Sequence, residues 1–279
     1  MKVAVLGDIH SNHYALEACL DRIDRLGVRH LIFLGDYVSD CACPERTLAL
    51  LRQAKTAYST QFIRGNRENY MLAHHAASHP DWVCGSRFGS LLYTYGQLTE
   101  DDLAWFADMP IVGEAAYPST SPLTLCHGSP QQDRCMLLPG SAEMAEVLPT
   151  IKTQILLCAH THRSFIHRQE GRTVVNGGTV GLPEEGDSDA QFALLEYRDG
   201  EWYPALMRVP YDVEATVREI RGSALCTFDD VWARAVIKTL RTGQSWTIPC
   251  LKLAAQIAAE QNTLDEEACR HLAADRLGL

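Results

Sequence analysis

The sequence predicts an α/β body followed by a helical tail, and three observations carry that expectation. Short apolar runs of strand type alternate with helical patterns in the first half of the chain. Polar motifs rich in Asp, Asn and His stand at or just beyond the ends of those runs, where the loops of α/β sheets gather ligands. Beyond Pro210 the pattern becomes helical, without strand signals.

Residues 2–6 read as a buried strand, residues 12–26 place apolar side chains at helical spacing, and residues 30–34 are again strand-like. Further strands are expected over 61–63, 123–126, 155–158, 164–168, 173–175, 190–197 and 201–208. The last two are joined by Arg198-Asp199-Gly200, a good hairpin turn. Helical periodicity then covers 213–221, 229–241, 251–261 and 265–277. The division expected is a catalytic domain over 1–210 and a helical accessory segment over 211–279, to which the roles of packing face, lid and dimer contact, with a homo-oligomer as its product, are open.

Composition narrows the class. A chain of 279 residues that is 46% hydrophobic can bury one large core with an appendage. No apolar run approaches the roughly 18 residues of a membrane span, and MKVAVLGDIH leads straight into a strand and a polar turn rather than a cleavage region. A cytoplasmic protein with no membrane association is therefore expected. Ten scattered cysteines in a chain of this size read as reduced structural thiols, and Cys41 with Cys43 lacks the second pair that a zinc knuckle needs. The net charge of -10 opposes binding of a nucleic-acid polymer, which needs clustered cations to displace counterions. A small phosphorylated substrate is compatible, because bound metal ions supply positive charge locally.

Five motifs carry the chemistry: Gly7-Asp8-Ile9-His10, Gly35-Asp36, Gly65-Asn66-Arg67-Glu68, His127-Gly128 and His160-Thr161-His162. Carboxylates, imidazoles and an amide oxygen form a mixed N/O donor set suited to Mn, Fe, Ni, Co or Zn rather than to Ca. A carboxylate such as Asp36 can offer one oxygen to each of two divalent ions, holding them ~3.5–4 Å apart so that they share a hydroxide and clamp a phosphoryl group.

In their order, D-x-H, G-D, G-N-x-E, H and H-x-H, these motifs resemble the calcineurin-like metallophosphoesterase superfamily, over residues 1–210. The run Asn176-Gly177-Gly178-Thr179-Val180-Gly181-Leu182-Pro183 is similar to a loop of its small bacterial and archaeal phosphodiesterase branch. The resemblance implies a four-layer α/β/β/α sandwich. It assigns Asp8, His10 and His162 to one metal, Asn66, His127 and His160 to the other, and Asp36 as the bridge. The implied activity is phosphomono- or phosphodiester hydrolysis by a metal-bridging hydroxide, with Asn66, Arg67 and His127 as catalytic residues. The alternative is a metal-binding regulatory or scaffold module with little turnover.

Three positions depart from the family pattern. Arg67 replaces a histidine often credited with protonating the leaving group; an arginine cannot serve as a general acid near neutral pH, but its fork of donors can bind phosphate. The expectation is that Arg67 neutralises charge on the phosphoryl group, against the plainer reading of an ion pair with Glu68 or another acid. Ala159 replaces glycine before the H-x-H pair, which is tolerable unless that backbone needs positive φ. Gly177 replaces proline. Outside the motifs, Asn12 and Ser11 suit helix capping. His13 is expected as an exposed first-turn residue, with a role near substrate as the alternative, and Trp82, Phe88, Tyr93 and Tyr95 as core or as a wall of the substrate pocket.

Overall fold

The computed structural model describes residues 1–260 and 265–279. In chain order the body comprises β1 (Lys2–Leu6), α1 (His13–Arg25), β2 (His30–Phe33), α2 (Pro44–Ala57), β3 (Ser59–Phe62), α3 (Asn66–Ala77), α4 (Gly89–Tyr95), α5 (Glu100–Asp108), β4 (Val112–Ala115), β5 (Leu123–Cys126), α6 (Ala142–Val147), β6 (Ile155–Cys158), β7 (Ser164–Gln169), β8 (Arg172–Gly177), β9 (Ala190–Arg198) and β10 (Glu201–Val209). The tail comprises α7 (Val213–Gly222), α8 (Leu225–Phe228), α9 (Asp230–Thr242), α10 (Thr247–Glu260) and α11 (Glu266–Arg276).

Two five-stranded sheets run in the orders β10-β9-β1-β2-β3 and β4-β5-β6-β8-β7. Each contains three parallel strands: β1, β2 and β3 in the first, β5, β6 and β8 in the second. Parallel neighbours require crossovers, which α1 and α2 supply in the first sheet.

The period-2 alternation of the strands builds the layers. Val3, Val5, Ile32 and Leu34 meet Leu123, Leu125, Ile155, Leu157 and Val175 between the sheets. The alternate residues Ala4, Leu6, Leu31 and Phe33 face Leu16, Ile23, Leu48 and Leu51 of α1 and α2. On the far side Cys126, Leu156, Cys158 and Val174 pack against Met144 and Val147 of α6. The order is helices, sheet, sheet, helix, as expected, with a thin fourth layer.

The predicted hairpin forms between β9 and β10, with Arg198 opposite Glu201 and left-handed backbone at Asp199 and Gly200. Asn12 caps α1, its Oδ1 accepting from the Ala15 amide. Several elements escaped the sequence reading for a physical reason. Two of the buried positions of α2 are Thr47 and Ala54, which dilute its apolar stripe, and β4 buries only Ala115 and so shows no alternation. In the tail α10 begins at Thr247, ahead of the expected 251, and Gln261, its expected end, lies outside the described residues.

The tail packs onto the body. Val217, Ile220, Leu225, Trp232, Val236 and Leu240 share a core with Cys41, Ala42, Tyr93 and Leu182. Among the described residues no helix is long and apolar enough to cross a membrane.

Candidate metal centre

All six parallel strands end on one region, and the loops that follow them carry the sequence motifs. Asp8 and His10 follow β1, Asp36 follows β2, Asn66 opens α3 after β3, His127 follows β5, and His160 and His162 follow β6. The loop after β8 is the 176–183 run. This is the placement expected for a site at the carboxyl ends of parallel strands.

The structure brings all seven side chains together. Asp8, His10 and His162 form one group, and Asp36, His127 and His160 a second, with the donor atoms of each group mutually within 4.8 Å. Asn66 Oδ1 lies 3.1 Å from His127 Nε2. Asp36 Oδ2 stands between the groups, 3.4 Å from His127 Nε2 and 3.9 Å from His10 Nε2.

The backbone beneath these side chains is unusual. Asp8, His10, Asp36, His160 and His162 all have φ between 50° and 67°. Left-handed backbone is uncommon for residues with a Cβ, although Asp, Asn and His tolerate it best, and it concentrates at functional sites. Crowding is tight where two of these loops meet: a Cβ at Gly35 would run into the Gly65 backbone, and one at Gly65 into Asp36.

Hydrogen bonds orient the ligand candidates from behind. His127 Nδ1 donates to Leu34 O at 2.7 Å and His162 Nδ1 to Leu182 O at 3.1 Å. His10 Nδ1 faces Asp40 Oδ2 at 2.7 Å. Each of these rings therefore holds its Nδ1 proton outward and turns Nε2 into the centre. Asp8 Oδ2 accepts from the His160 amide at 2.9 Å, whereas Asp8 Oδ1 is buried without a hydrogen-bond partner among the described residues. His10 Nε2 and His162 Nε2 face one another at 3.0 Å. Two facing acceptors repel unless one ring takes a second proton or a cation lies between them.

The metal-free electrostatics are polarised. Burial pushes the Asp8 carboxyl up to about 7 against the pull of His127, and Asp36 adds to the rise. Despite burial, His127 holds Asp36 well below the usual carboxylate range. Burial acts to lower His127, but Asp36 overrides it and lifts the ring to about 10. Burial and the His127 charge lower His160 to about 4. The donor set therefore concentrates charge in a buried space and leaves an acceptor unpaired, the condition that a divalent cation relieves.

Residues 1–200 match the calcineurin-like phosphoesterase superfamily domain. The chain belongs to that superfamily. It is 22% identical over 237 residues to an uncharacterized protein of Methanocaldococcus jannaschii, covering 78% of this chain and 91% of that one. The fold is similar to that of a metallophosphoesterase from Sphaerobacter thermophilus, with a TM-score of 0.70, 22% identity, and coverage of 87% of this chain and 100% of that one. A hypothetical protein from Pyrococcus horikoshii has a TM-score of 0.73 at 21% identity, with 88% and 99% covered.

Within this calcineurin-like frame the three departures have definite settings, and at Gly177 an added Cβ would run into the Ala193 backbone. Arg67 does not pair with Glu68. The buried Glu68 carboxylate accepts from the amides of Asp36, Tyr37 and Gly65, tying two motif loops together. Arg67 instead places Nη2 3.3 Å from Asp40 Oδ2 and Nε 3.9 Å from Asp36 Oδ2, with its side chain 21% exposed. Ala159 is absent from the left-handed positions, so its Cβ is tolerated. The 176–183 loop buttresses the centre: Asn176 donates to Ala159 O and Thr161 Oγ1, and Thr179 Oγ1 donates to Asp8 O.

Two residues that sequence reasoning missed matter here. Asp40 orients His10, and Trp232 of α9 donates its indole N–H to Asp40 Oδ1 at 2.8 Å. Asp40, four positions after Asp36 in the same polar loop, was discoverable; Trp232 carries no local signal. His13 corrects an expectation, being buried against Glu219 at 3.1 Å rather than exposed. His13, Cys43 and Glu219 form a third compact group, but Arg46 already occupies a Glu219 oxygen at 2.9 Å. Of the four aromatics, Tyr93 donates to Ala42 O in the tail-facing core, and His75 contacts the Tyr95 hydroxyl.

Proposed function

We propose that this calcineurin-like protein is a dinuclear metal-dependent phosphoesterase hydrolysing phosphomono- or phosphodiesters. In this reading Asp8, His10 and His162 hold one divalent ion, Asn66, His127 and His160 hold the other, and Asp36 serves both. The supporting observation is the pair of imidazole nitrogens facing each other at 3.0 Å beside the unpartnered Asp8 Oδ1, an arrangement that invites a cation. Two ions bound there would make water nucleophilic at neutral pH and neutralise charge on the phosphoryl oxygens.

The protein's own residues do the rest. Asp40, Leu34 O and Leu182 O keep the Nε2 atoms of His10, His127 and His162 pointed inward before any ligand arrives. Arg67, half-buried at the rim, offers its guanidinium to the transferring phosphoryl group and supplies no acid proton, so substrates with good leaving groups react fastest. Residues 1–210 carry the catalytic machinery, and residues 211–279 brace it. A cytoplasmic setting fits ten cysteines that form no disulfide among the described residues.

The test is p-nitrophenol release from its mono- and bis-phosphate esters by chelator-treated protein reloaded with Mn²⁺, Ni²⁺ or Zn²⁺, with bound metal counted in parallel. Two ions per chain and metal-dependent release are expected. Two tightly bound ions without turnover on either ester would overturn the enzyme reading in favour of a scaffold.

A further inference from the structure

Beside the centre, and separate from its ligands, α3, the 79–91 segment and the tail helices line an open cavity of about 510 Å³. That lies within the range of pockets that take small organic ligands. Its walls include Tyr70, Trp82, Phe88 and Trp232, and its charged lining includes Arg67, Arg87 and a single acid, Asp81. The excess of cations is local, since the whole chain carries -10.

Two features connect this cavity to the chemistry. Arg67 and Trp232 both line it, and both contact Asp40, the carboxylate 2.7 Å from His10. The cavity floor is thus one side chain removed from the metal centre. Its aromatic walls are also ordered: the Trp82 and Phe88 rings lie 16° from parallel with centroids 6.3 Å apart, and the Arg87 guanidinium sits 4.7 Å over Phe88. Four aromatic side chains with two arginines and one acid in a common lining suit a flat, electron-rich group joined to an anion.

We propose that this cavity binds the organic part of the phosphoester and that this part is a planar aromatic group, a nucleobase being the natural example. The inference rests on the phosphoesterase reading for the anionic end of the ligand. The tail is then part of the substrate site, because Trp232 and Leu251 close the cavity from its side.

The test measures binding rather than turnover, so that it fails independently of the metal-centre reading. Chelator-treated full-length protein is titrated with adenosine 5′-monophosphate, p-nitrophenyl phosphate and ribose 5-phosphate, followed by calorimetry and tryptophan fluorescence. The two aromatic phosphates are expected to bind at least about fivefold tighter than the sugar phosphate, the low end of what one stacked base contributes. Phe88→Ala, which removes a wall, and Ala73→Trp, which fills the mouth from an exposed position, should each erase that preference. Equal binding of all three phosphates by the wild type would overturn the proposal whether or not either variant folds, and retained preference in both folded variants would do so as well. Metal-dependent p-nitrophenol release, scored separately, decides the centre.

Discussion

The two halves of the centre are held by different parts of the molecule. Asp36, Asn66 and His127 are fixed from within the body, by the Leu34 carbonyl, the Arg67 amide that donates to Asp36 Oδ1, and the Glu68 clasp. Asp8, His10 and His162 lean on the Thr179 hydroxyl and the Leu182 carbonyl from later in the chain, and on Asp40, which is itself held by Trp232 of the tail. One half is therefore held wholly within the body, whereas the other leans on one carboxylate, Asp40, that the tail holds in turn. If two ions bind as proposed, the tail should consequently tune one more than the other.

Asp36→Ala removes the carboxylate that the proposed reading assigns to both ions, so it is expected to have the largest effect. Turnover of p-nitrophenyl phosphates should fall by at least about 1,000-fold, more than the loss of a single oxyanion donor, with bound metal dropping below two per chain. Two retained ions would mean that the halves do not share this ligand.

Next comes Arg67→Ala, with an expected loss of about 100-fold from removing one charge-stabilising group. Rates on aryl phosphates of graded leaving-group pKa should separate the variant from wild type at every point. Superimposed plots would remove Arg67 from the chemistry.

A smaller and one-sided change is expected of Asp40→Asn. The outer-partner role of Asp40 puts the loss of metal affinity at about 30-fold, confined to the ion on the His10 side. Two-site calorimetric titration resolves this, and equal weakening of both sites would erase the contrast drawn above. Trp232→Phe keeps an aromatic ring, though a smaller one, and deletes the indole N–H, so the same site should weaken by about tenfold or less, with the melting temperature separating this from loss of packing.

Much of the candidate centre was legible because local chemistry encodes local backbone. Asp, His and Gly stand where the chain turns left-handed after β1, β2 and β6, and the Val3/Val5 against Ala4/Leu6 alternation announces a strand buried on both faces. Less legible were elements whose buried positions are small or polar, such as α2, and edge elements such as β4 that bury almost nothing. His13 shows the limit most plainly: nothing near it in sequence reveals Glu219, 206 positions away, which draws it into a buried contact.

By itself the amino-acid sequence determined the residue types of the centre, their order along the chain, the strands that present them and the superfamily pattern they follow. Backbone preference and amphipathic period act over a few residues, so these features can be read one segment at a time. Only the tertiary structure decided that the two imidazole nitrogens face each other, that Asp40 stands behind His10, and that a tryptophan 192 residues downstream of Asp40 reaches it to close a cavity beside Arg67. Such contacts depend on how two sheets and a helical tail pack, and no local pattern encodes that packing.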